Sequence, residues 1–175
     1  MKNAIIIAGF AGVGKSVLAK KYTNVVDLEI MDFKWDYNKS FENAEEKKGY
    51  REKSRKKDWP KNYFDAIISA SIKYDIILIS TDDEILDFLE EKEVDYVLAF
   101  PKSECKEEYL ERYRKRGNTR EFISRVDETF EELLIKLNSN DKKKLILNSN
   151  ETLESKLLEI TKNKKNQFPT FLEER

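Results

Sequence analysis

The sequence predicts an α/β protein in which a parallel β-sheet is enclosed between layers of helices. Five short apolar segments, rich in β-branched residues, alternate along the chain with segments of helical periodicity. In each segment the apolar residues include consecutive ones rather than strictly alternating with polar residues, which is typical of strands that are buried on both faces. The 175 residues are enough for one domain with a substantial core and too few for two comfortable ones.

The strands are predicted from short apolar runs that end at turn residues. The first run ends at Gly9 and the fourth is followed by Pro101. Glycine and proline punctuate strands in this way because they favour turns. The five predicted strands cover residues 3–9, 24–30, 74–80, 94–100 and 143–149.

The helices are predicted from apolar residues at helical spacing and from residues that favour N-caps. Ser103 and Thr119 each precede a helical segment and could accept a hydrogen bond from its first turn. The helix after Thr119 has an apolar stripe made of Phe122, Val126, Phe130, Leu133 and Leu137. The predicted helices cover residues 16–22, 63–72, 83–92, 106–114, 119–137 and 151–162.

Residues 31–60 lose clear periodicity, and the residues after 162 have none. Within the first of these segments, the charged run over residues 42–57 predicts an exposed helix.

The composition narrows the possible functions. Lys and Arg number 33 against 34 Asp and Glu, so no global field favours nucleic acid or membrane, and we expect a small-molecule partner. Histidine is absent, which excludes His-ligated zinc and imidazole-based catalysis. The single cysteine, Cys105, excludes an internal disulfide; we interpret it as a bystander in a reduced, cytoplasmic setting. The apolar run Ala4–Ala8 is far shorter than the roughly 20 residues of a membrane span.

The first strand is followed by a cluster of glycines with the spacing of a phosphate-binding loop. Gly9 to Ser16 match G-x-x-x-x-G-K-[ST] without a gap, between a predicted strand and a predicted helix. Successive amides of such a loop curl around a phosphate, where any Cβ is expected to hit the ligand. We therefore expect ATP to bind at Gly9, Gly12, Val13, Gly14, Lys15, Ser16 and Val17, with Lys15 reaching the β- and γ-phosphates and the Ser16 hydroxyl holding Mg²⁺.

Several segments beyond this loop resemble known proteins. "VVDLE", "FKW", "WPKNYFDAI", "YDIILIST" and "EYLERYRKRGNTREFI" follow the loop in order. Together they resemble the nucleoside and nucleotide kinase branch of P-loop proteins, and more closely the small phage and Gram-positive bacterial proteins labelled adenylate-kinase-like. The resemblance implies one domain over residues 1–175 with strand order 2-3-1-4-5. It also implies a small helical lid at about 103–125 and an acceptor-side region at about 31–63.

The resemblance assigns roles to charged residues. Arginines near the lid of adenylate kinases clamp the transferred phosphoryl group, which implies this role here for Arg112, Arg116 and Arg125. Guanidinium groups suit it because they bind phosphate oxygens bidentately. Relatives also place acidic residues near the acceptor or Mg²⁺, which points to Asp27, with Glu29 beside it, and to Asp82 as a metal ligand. Structural alternatives remain open for each of these residues. The arginines could lie on an exposed helix face, Asp27 and Glu29 could lie in a turn, and Asp82 could cap a helix.

The acceptor pocket is expected from the segment between residues 33 and 63. Its aromatic residues could stack on a base or could be core, and its cations Lys34, Arg51 and Arg55 are candidates for the acceptor's phosphate. The Asp-Gly-Phe-Pro-Arg run of adenylate kinases is replaced by Ser-Thr-Asp-Asp, which argues against AMP. The aromatic candidates are Trp35, Tyr37, Trp59 and Tyr63.

The sequence thus predicts an ATP- and Mg²⁺-dependent phosphotransferase that acts on a nucleoside or deoxynucleoside monophosphate. A nucleotide-binding regulatory protein with weak or no turnover is an alternative. A kinase of a non-nucleotide molecule or of a nucleic-acid end is another, and the near-zero net charge argues against the nucleic acid.

Overall fold

A computed structural model of the chain describes residues 4–42, 44–47, 50–162 and 172–174. Its strands, in chain order, are β1 Ile5–Gly9, β2 Val25–Asp27, β3 Trp35–Tyr37, β4 Lys53–Arg55, β5 Ile76–Ser80, β6 Val97–Pro101 and β7 Lys143–Leu147. Its helices are α1 Lys15–Lys21, α2 Met31–Lys34, α3 Ala44–Lys47, α4 Lys61–Ala70, α5 Asp83–Glu91, α6 Lys106–Lys115, α7 Arg120–Ser139 and α8 Leu153–Lys162, with a 3₁₀ turn at Ser103–Cys105.

Five of the strands form one parallel sheet in the order β2-β5-β1-β6-β7. Counted among these five alone, the order is 2-3-1-4-5, so the predicted fold class and strand order are confirmed. The central strand β1 pairs with β5 on one side and β6 on the other, in the registers Ile7–Leu78 and Ile7–Val97. The carboxyl ends of all five strands therefore lie along one edge, where ligands of such sheets bind.

The core lies on both faces of the sheet, as the continuous apolar strands predict. Ile7, Ile77 and Leu98 in the three middle strands are fully buried, and helices supply the rest of the apolar contacts. Cys105 is also buried, and burial raises the pKa of its thiol. A thiol of that kind is a poor nucleophile, which agrees with the interpretation of Cys105 as a bystander.

Helix α7 begins as the sequence predicts, whereas α6 does not. The Thr119 side chain accepts a hydrogen bond from the Phe122 amide at 3.3 Å. The predicted cap at Ser103 is wrong, because Ser103 lies in the 3₁₀ turn and the residue that precedes α6 is Cys105, whose side chain makes no capping bond. The apolar stripe of α7 is confirmed except that Leu134, rather than Leu133, is fully in the core.

The predicted helix over residues 42–57 is largely wrong. Of the described residues in this range, only Ala44–Lys47 are helical, and Lys53–Arg55 forms β4, which pairs antiparallel with β3. Residues 43, 48 and 49 lie outside the described residues. The hairpin gains a cation–π contact, with Lys53 Nζ 4.6 Å from the centroid of the Trp35 ring, that helical spacing cannot reveal.

The end of the chain contacts the junction between α1 and β2. The Thr23 amide donates to the Glu173 carbonyl at 2.7 Å, and Tyr22 forms an antiparallel bridge with Glu174. Residues 163–171 and 175 of the tail lie outside the described residues. Among the described helices, none is both long and apolar enough to cross a membrane.

Candidate functional site

The glycine cluster forms a tight loop between the carboxyl end of β1 and the start of α1. Gly12 and Gly14 have φ of 87° and 101°. These angles lie in the left-handed region, which residues with a Cβ adopt only at a cost. The motif glycines at these two positions are therefore required by the backbone itself.

The space around the loop gives a second reason for two of its glycines. A Cβ on Gly9 would lie 3.0 Å from Lys15 Cδ, and one on Gly12 would lie 3.0 Å from Tyr113 Cε1. A Cβ on Gly14 would meet only Thr152, at an ordinary 3.8 Å. Neighbouring side chains of the protein itself would thus crowd a Cβ at Gly9 or Gly12, in addition to the expected clash with a bound phosphate.

Lys15 and Ser16 lie in the first turn of α1, beside the loop. The Lys15 ammonium folds back over the loop and donates to the Gly9 carbonyl at 2.7 Å. The Ser16 hydroxyl donates to Asp27 Oδ2 at 2.7 Å, so the end of β2 and the start of α1 bring a hydroxyl and a carboxylate together. These are the hard oxygen ligands that Mg²⁺ prefers.

The protein itself offers few metal ligands. Among the described residues, no group of three or more Asp, Glu, Cys or His side chains could hold a metal ion. A Mg²⁺ ion at Ser16 and Asp27 would therefore take its remaining ligands from phosphate oxygens and water, as is usual for this ion. The residues present fit a metal that arrives with a nucleotide.

Arg112 lies beside the loop, but its guanidinium is held by the protein. It donates to the carbonyls of Gly12 at 3.0 Å and Glu151 at 3.2 Å, and it pairs with the carboxylate of Glu108. The neighbouring Tyr113 donates its hydroxyl to the Ala11 carbonyl at 2.7 Å. The structure thus brings Arg112 to the predicted site in a contact that the sequence did not predict.

The other arginines of this region lie on the surface. Arg116 follows the end of α6 and is exposed. Arg114 pairs with Glu111 at 3.3 Å. Arg120 and Arg125 line a shallow groove of about 390 Å³ along the first turns of α7.

Asp82 takes part in an ion-pair network at the end of β5. Its carboxylate accepts from Lys34 Nζ at 2.6 Å and from the Glu84 amide at 3.2 Å, so it also caps α5. Lys34 lies 3.1 Å from Glu84, which in turn pairs with Arg55 and accepts from the Trp59 indole at 2.9 Å. Burial opposes ionisation of Glu84, yet the bonds from Lys34 and Trp59 hold its pKa below the usual range.

The aromatic candidates divide into core residues and partly exposed residues. Trp59 and Tyr63 are buried, and the Tyr63 hydroxyl donates to the Leu28 carbonyl at 2.5 Å. Trp35 and Tyr37 on β3 are half-buried. Burial, and then Asp32 and Glu29, raise the pKa of Tyr37 to about 12. Of these four aromatic candidates, Trp35 and Tyr37 are the ones with side-chain surface exposed to a ligand.

Sequence reasoning missed Lys53 on β4. Its pKa is lowered by burial and by the nearby positive charges of Arg125 and Lys34. No motif marked Lys53, because its position depends on the pairing of two short strands far from α7 in sequence.

Comparison with known proteins gives no family for this chain. No protein-family model matches it, and no curated protein sequence matches it significantly.

Proposed function

We propose that this protein binds ATP with Mg²⁺ and transfers its γ-phosphoryl group to a small acceptor, with a nucleoside or deoxynucleoside monophosphate as the favoured class. The observation that carries the proposal is the glycine loop at the carboxyl end of the central strand. Lys15 contacts this loop, and the hydrogen-bonded pair of Ser16 and Asp27 lies beside it. Phosphoryl transfer needs mainly positioning and neutralisation of charge, and both can be supplied by such a loop.

In this proposal the loop amides and Lys15 bind the phosphates, while Ser16 and Asp27 hold Mg²⁺. Lys15 would exchange its bond to the Gly9 carbonyl for phosphate oxygens. The bound ion would neutralise charge on the phosphates. Asp82 remains a candidate at the outer edge of the metal site, where it would have to leave Lys34.

The acceptor is proposed to bind between the β3–β4 hairpin and the start of α7. The positive charge of Arg125 contributes to the lowered pKa of Lys53, and neither residue forms an ion pair with any described residue. An anionic acceptor would relieve their repulsion. Trp35 offers a half-buried ring beside Lys53 for a base, and the exposed Arg116 is proposed to assist Arg125 in holding the transferred group.

A second candidate is a nucleotide-binding regulatory protein without an acceptor. The network of Lys34, Arg55, Asp82 and Glu84 favours it, because two of the cations expected to bind an acceptor are already neutralised by carboxylates. Such a protein would bind ATP, and no small acceptor would increase its turnover.

A coupled assay of ADP production, run over a panel of ribo- and deoxyribonucleoside monophosphates, separates the two candidates. The proposal expects saturable turnover that depends on one or a few of these nucleotides and that Lys15→Ala abolishes. Lys20→Ala, on the same helix but exposed, is the matched control and should retain activity. Turnover that survives Lys15→Ala would contradict the proposed phosphate site, and ATP binding with no acceptor-dependent turnover would favour the regulatory candidate.

A further inference from the structure

Three consecutive carbonyls of the glycine loop each accept a hydrogen bond from a residue far along the chain. Ala11 accepts from the Tyr113 hydroxyl at 2.7 Å, and Gly12 accepts from Arg112 Nη1 at 3.0 Å. Val13 accepts from the amide of Leu153 at 2.8 Å. The donors belong to α6 and to the start of α8, so these two elements hold the outer side of the loop.

Anchored carbonyls fix the direction of the amides that follow them. In a trans peptide the C=O and the next N–H point in opposite directions, because the peptide group is planar. The bonds to Ala11, Gly12 and Val13 therefore turn the amides of Gly12, Val13 and Gly14 away from α6 and α8. Among the described residues, none accepts a hydrogen bond from the amides of Gly12 or Gly14, which leaves these donors for an anion.

The anchor on the Gly12 carbonyl is itself held in place. The Glu108 carboxylate pairs with Arg112 and accepts from the Ser149 hydroxyl at 2.9 Å and the Asn150 amide at 3.1 Å. The Arg112 guanidinium spans two carbonyls, those of Gly12 and Glu151, and stacks with Cζ 4.5 Å from the centroid of the Tyr109 ring. A side chain with this many fixed partners acts as a strut between α6, the loop before α8 and the glycine loop.

We propose that Tyr113 and Arg112 are positioning residues that hold the glycine loop in its anion-binding conformation by anchoring the carbonyls of Ala11 and Gly12. The proposal rests on the proposed nucleotide site and gives Arg112 a role different from the phosphoryl clamp that the resemblance implies. If the loop samples other conformations once an anchor is lost, the apparent affinity for nucleotide falls in proportion to the population of the competent state.

Two tyrosines one turn apart on α6 provide a matched test. Tyr113→Phe removes the hydroxyl that anchors Ala11, while Tyr109→Phe removes a buried hydroxyl that has no hydrogen-bond partner among the described residues. Both rings are fully buried and remain in place. Calorimetric titration with ADP and Mg²⁺ at 25 °C should give a dissociation constant about five- to tenfold larger for Tyr113→Phe than for the wild type. For Tyr109→Phe the dissociation constant should be unchanged.

The result separates a positioning role from a structural one. Thermal unfolding without nucleotide shows whether each variant is folded at 25 °C. A variant that is less stable but still folded at this temperature would keep the wild-type affinity if the tyrosine hydroxyl contributed only to stability. Equal ADP affinity for the wild type and Tyr113→Phe would overturn the inference while the proposed function stands. A wild-type protein that binds no ADP would overturn the proposed function and, with it, this inference.

Arg112→Lys tests the second anchor without loss of charge. Lysine has no planar fork to span the Gly12 and Glu151 carbonyls, so we expect ADP affinity to fall severalfold despite the retained positive charge. Wild-type affinity in Arg112→Lys would contradict the anchoring role of Arg112, because it would mean that positive charge alone suffices.

Discussion

At the scale of single residues, the glycines of the loop have different physical reasons. Gly9 needs room beside Lys15 and Val13, Gly14 needs its left-handed φ, and Gly12 needs both room and a left-handed φ. The motif alone does not distinguish these reasons, since it records only that glycine occurs. The structure therefore predicts that substitutions at glycines with similar φ have different costs.

Gly12→Ala should destabilise the protein more than Gly117→Ala. Both glycines have left-handed φ, of 87° and 76°, so each alanine costs about 1–2 kcal/mol in backbone strain. At Gly12 the new Cβ would also lie 3.0 Å from Tyr113, whereas nothing lies within 4 Å at Gly117. Overpacking adds about 1–3 kcal/mol at Gly12. Urea unfolding of both variants measures the difference, and equal losses would show that Tyr113 can yield.

The residues that the sequence could predict are those with local signals. Lys15 and Ser16 follow from the motif, and the structure brings Asp27 to Ser16 as the end of the second strand suggested. Tyr113 contacts Ala11 across 102 positions, and no local pattern predicts a pair so distant. The two tyrosines at i, i+4 on α6 were the available signal, yet their role depends on how α6 packs against the loop.

At the scale of elements, caps decide where helices begin, and α6 and α7 provide a direct comparison. Thr119→Ala should cost about 1 kcal/mol in the free energy of unfolding, because it removes the bond that caps α7. Ser103→Ala at an exposed position without a capping bond should change it by less than about 0.5 kcal/mol. Denaturant unfolding tests both, and an equal loss for the two variants would contradict the assigned caps.

A carboxylate on α8 joins that helix to the end of α1. Glu154 accepts from Lys21 at 2.6 Å and from the Tyr22 hydroxyl at 2.7 Å, and these bonds hold its pKa below the usual range against the opposing effect of burial. A depressed pKa in the folded state stabilises the protein above the unfolded-state pKa of about 4.3 and loses that effect as the pH falls.

Glu154→Gln should therefore lower the free energy of unfolding at pH 7, and its difference from the wild type should shrink as the pH falls below about 4.3. Glu159→Gln, on the same helix and more than half exposed, is the control and should show little effect at any pH. Urea unfolding from pH 7 to pH 3 provides the measurement. A difference between wild type and Glu154→Gln that is independent of pH would argue against the assigned ion pair.

The strands of the large sheet were predictable as elements, whereas the hairpin was not. A continuous apolar run, as in Ile76–Ser80, predicts a buried strand. Each strand of the hairpin has only three residues, and β4 carries two cations. The two strands are stabilised by their pairing and by Lys53 on the Trp35 ring. Charged residues at this density also fit an exposed helix, so tertiary pairing decided between the two.

At the scale of the whole molecule, the strand order brings the candidate site together. With β1 at the centre and β5 and β6 beside it, the loop after β1 lies at the topological switch point, where the strand order reverses. The ends of β2 and β5 bring Asp27 and Asp82 to the same edge. The charge balance of the whole chain hides a local imbalance, since the segment 112–125 carries six cations and one carboxylate.

The loop from Gly9 to Ser16 is proposed to bind a nucleoside triphosphate. Calorimetric titration of the protein with Mg²⁺ and a non-hydrolysable ATP analogue tests it most directly, with Lys15→Ala in parallel. We expect saturable binding of one nucleotide per chain to the wild type. In the variant, which lacks the ammonium proposed to contact phosphate, we expect binding to be weaker by at least about tenfold. Absence of binding to the wild type, or equal binding by both proteins, would contradict it.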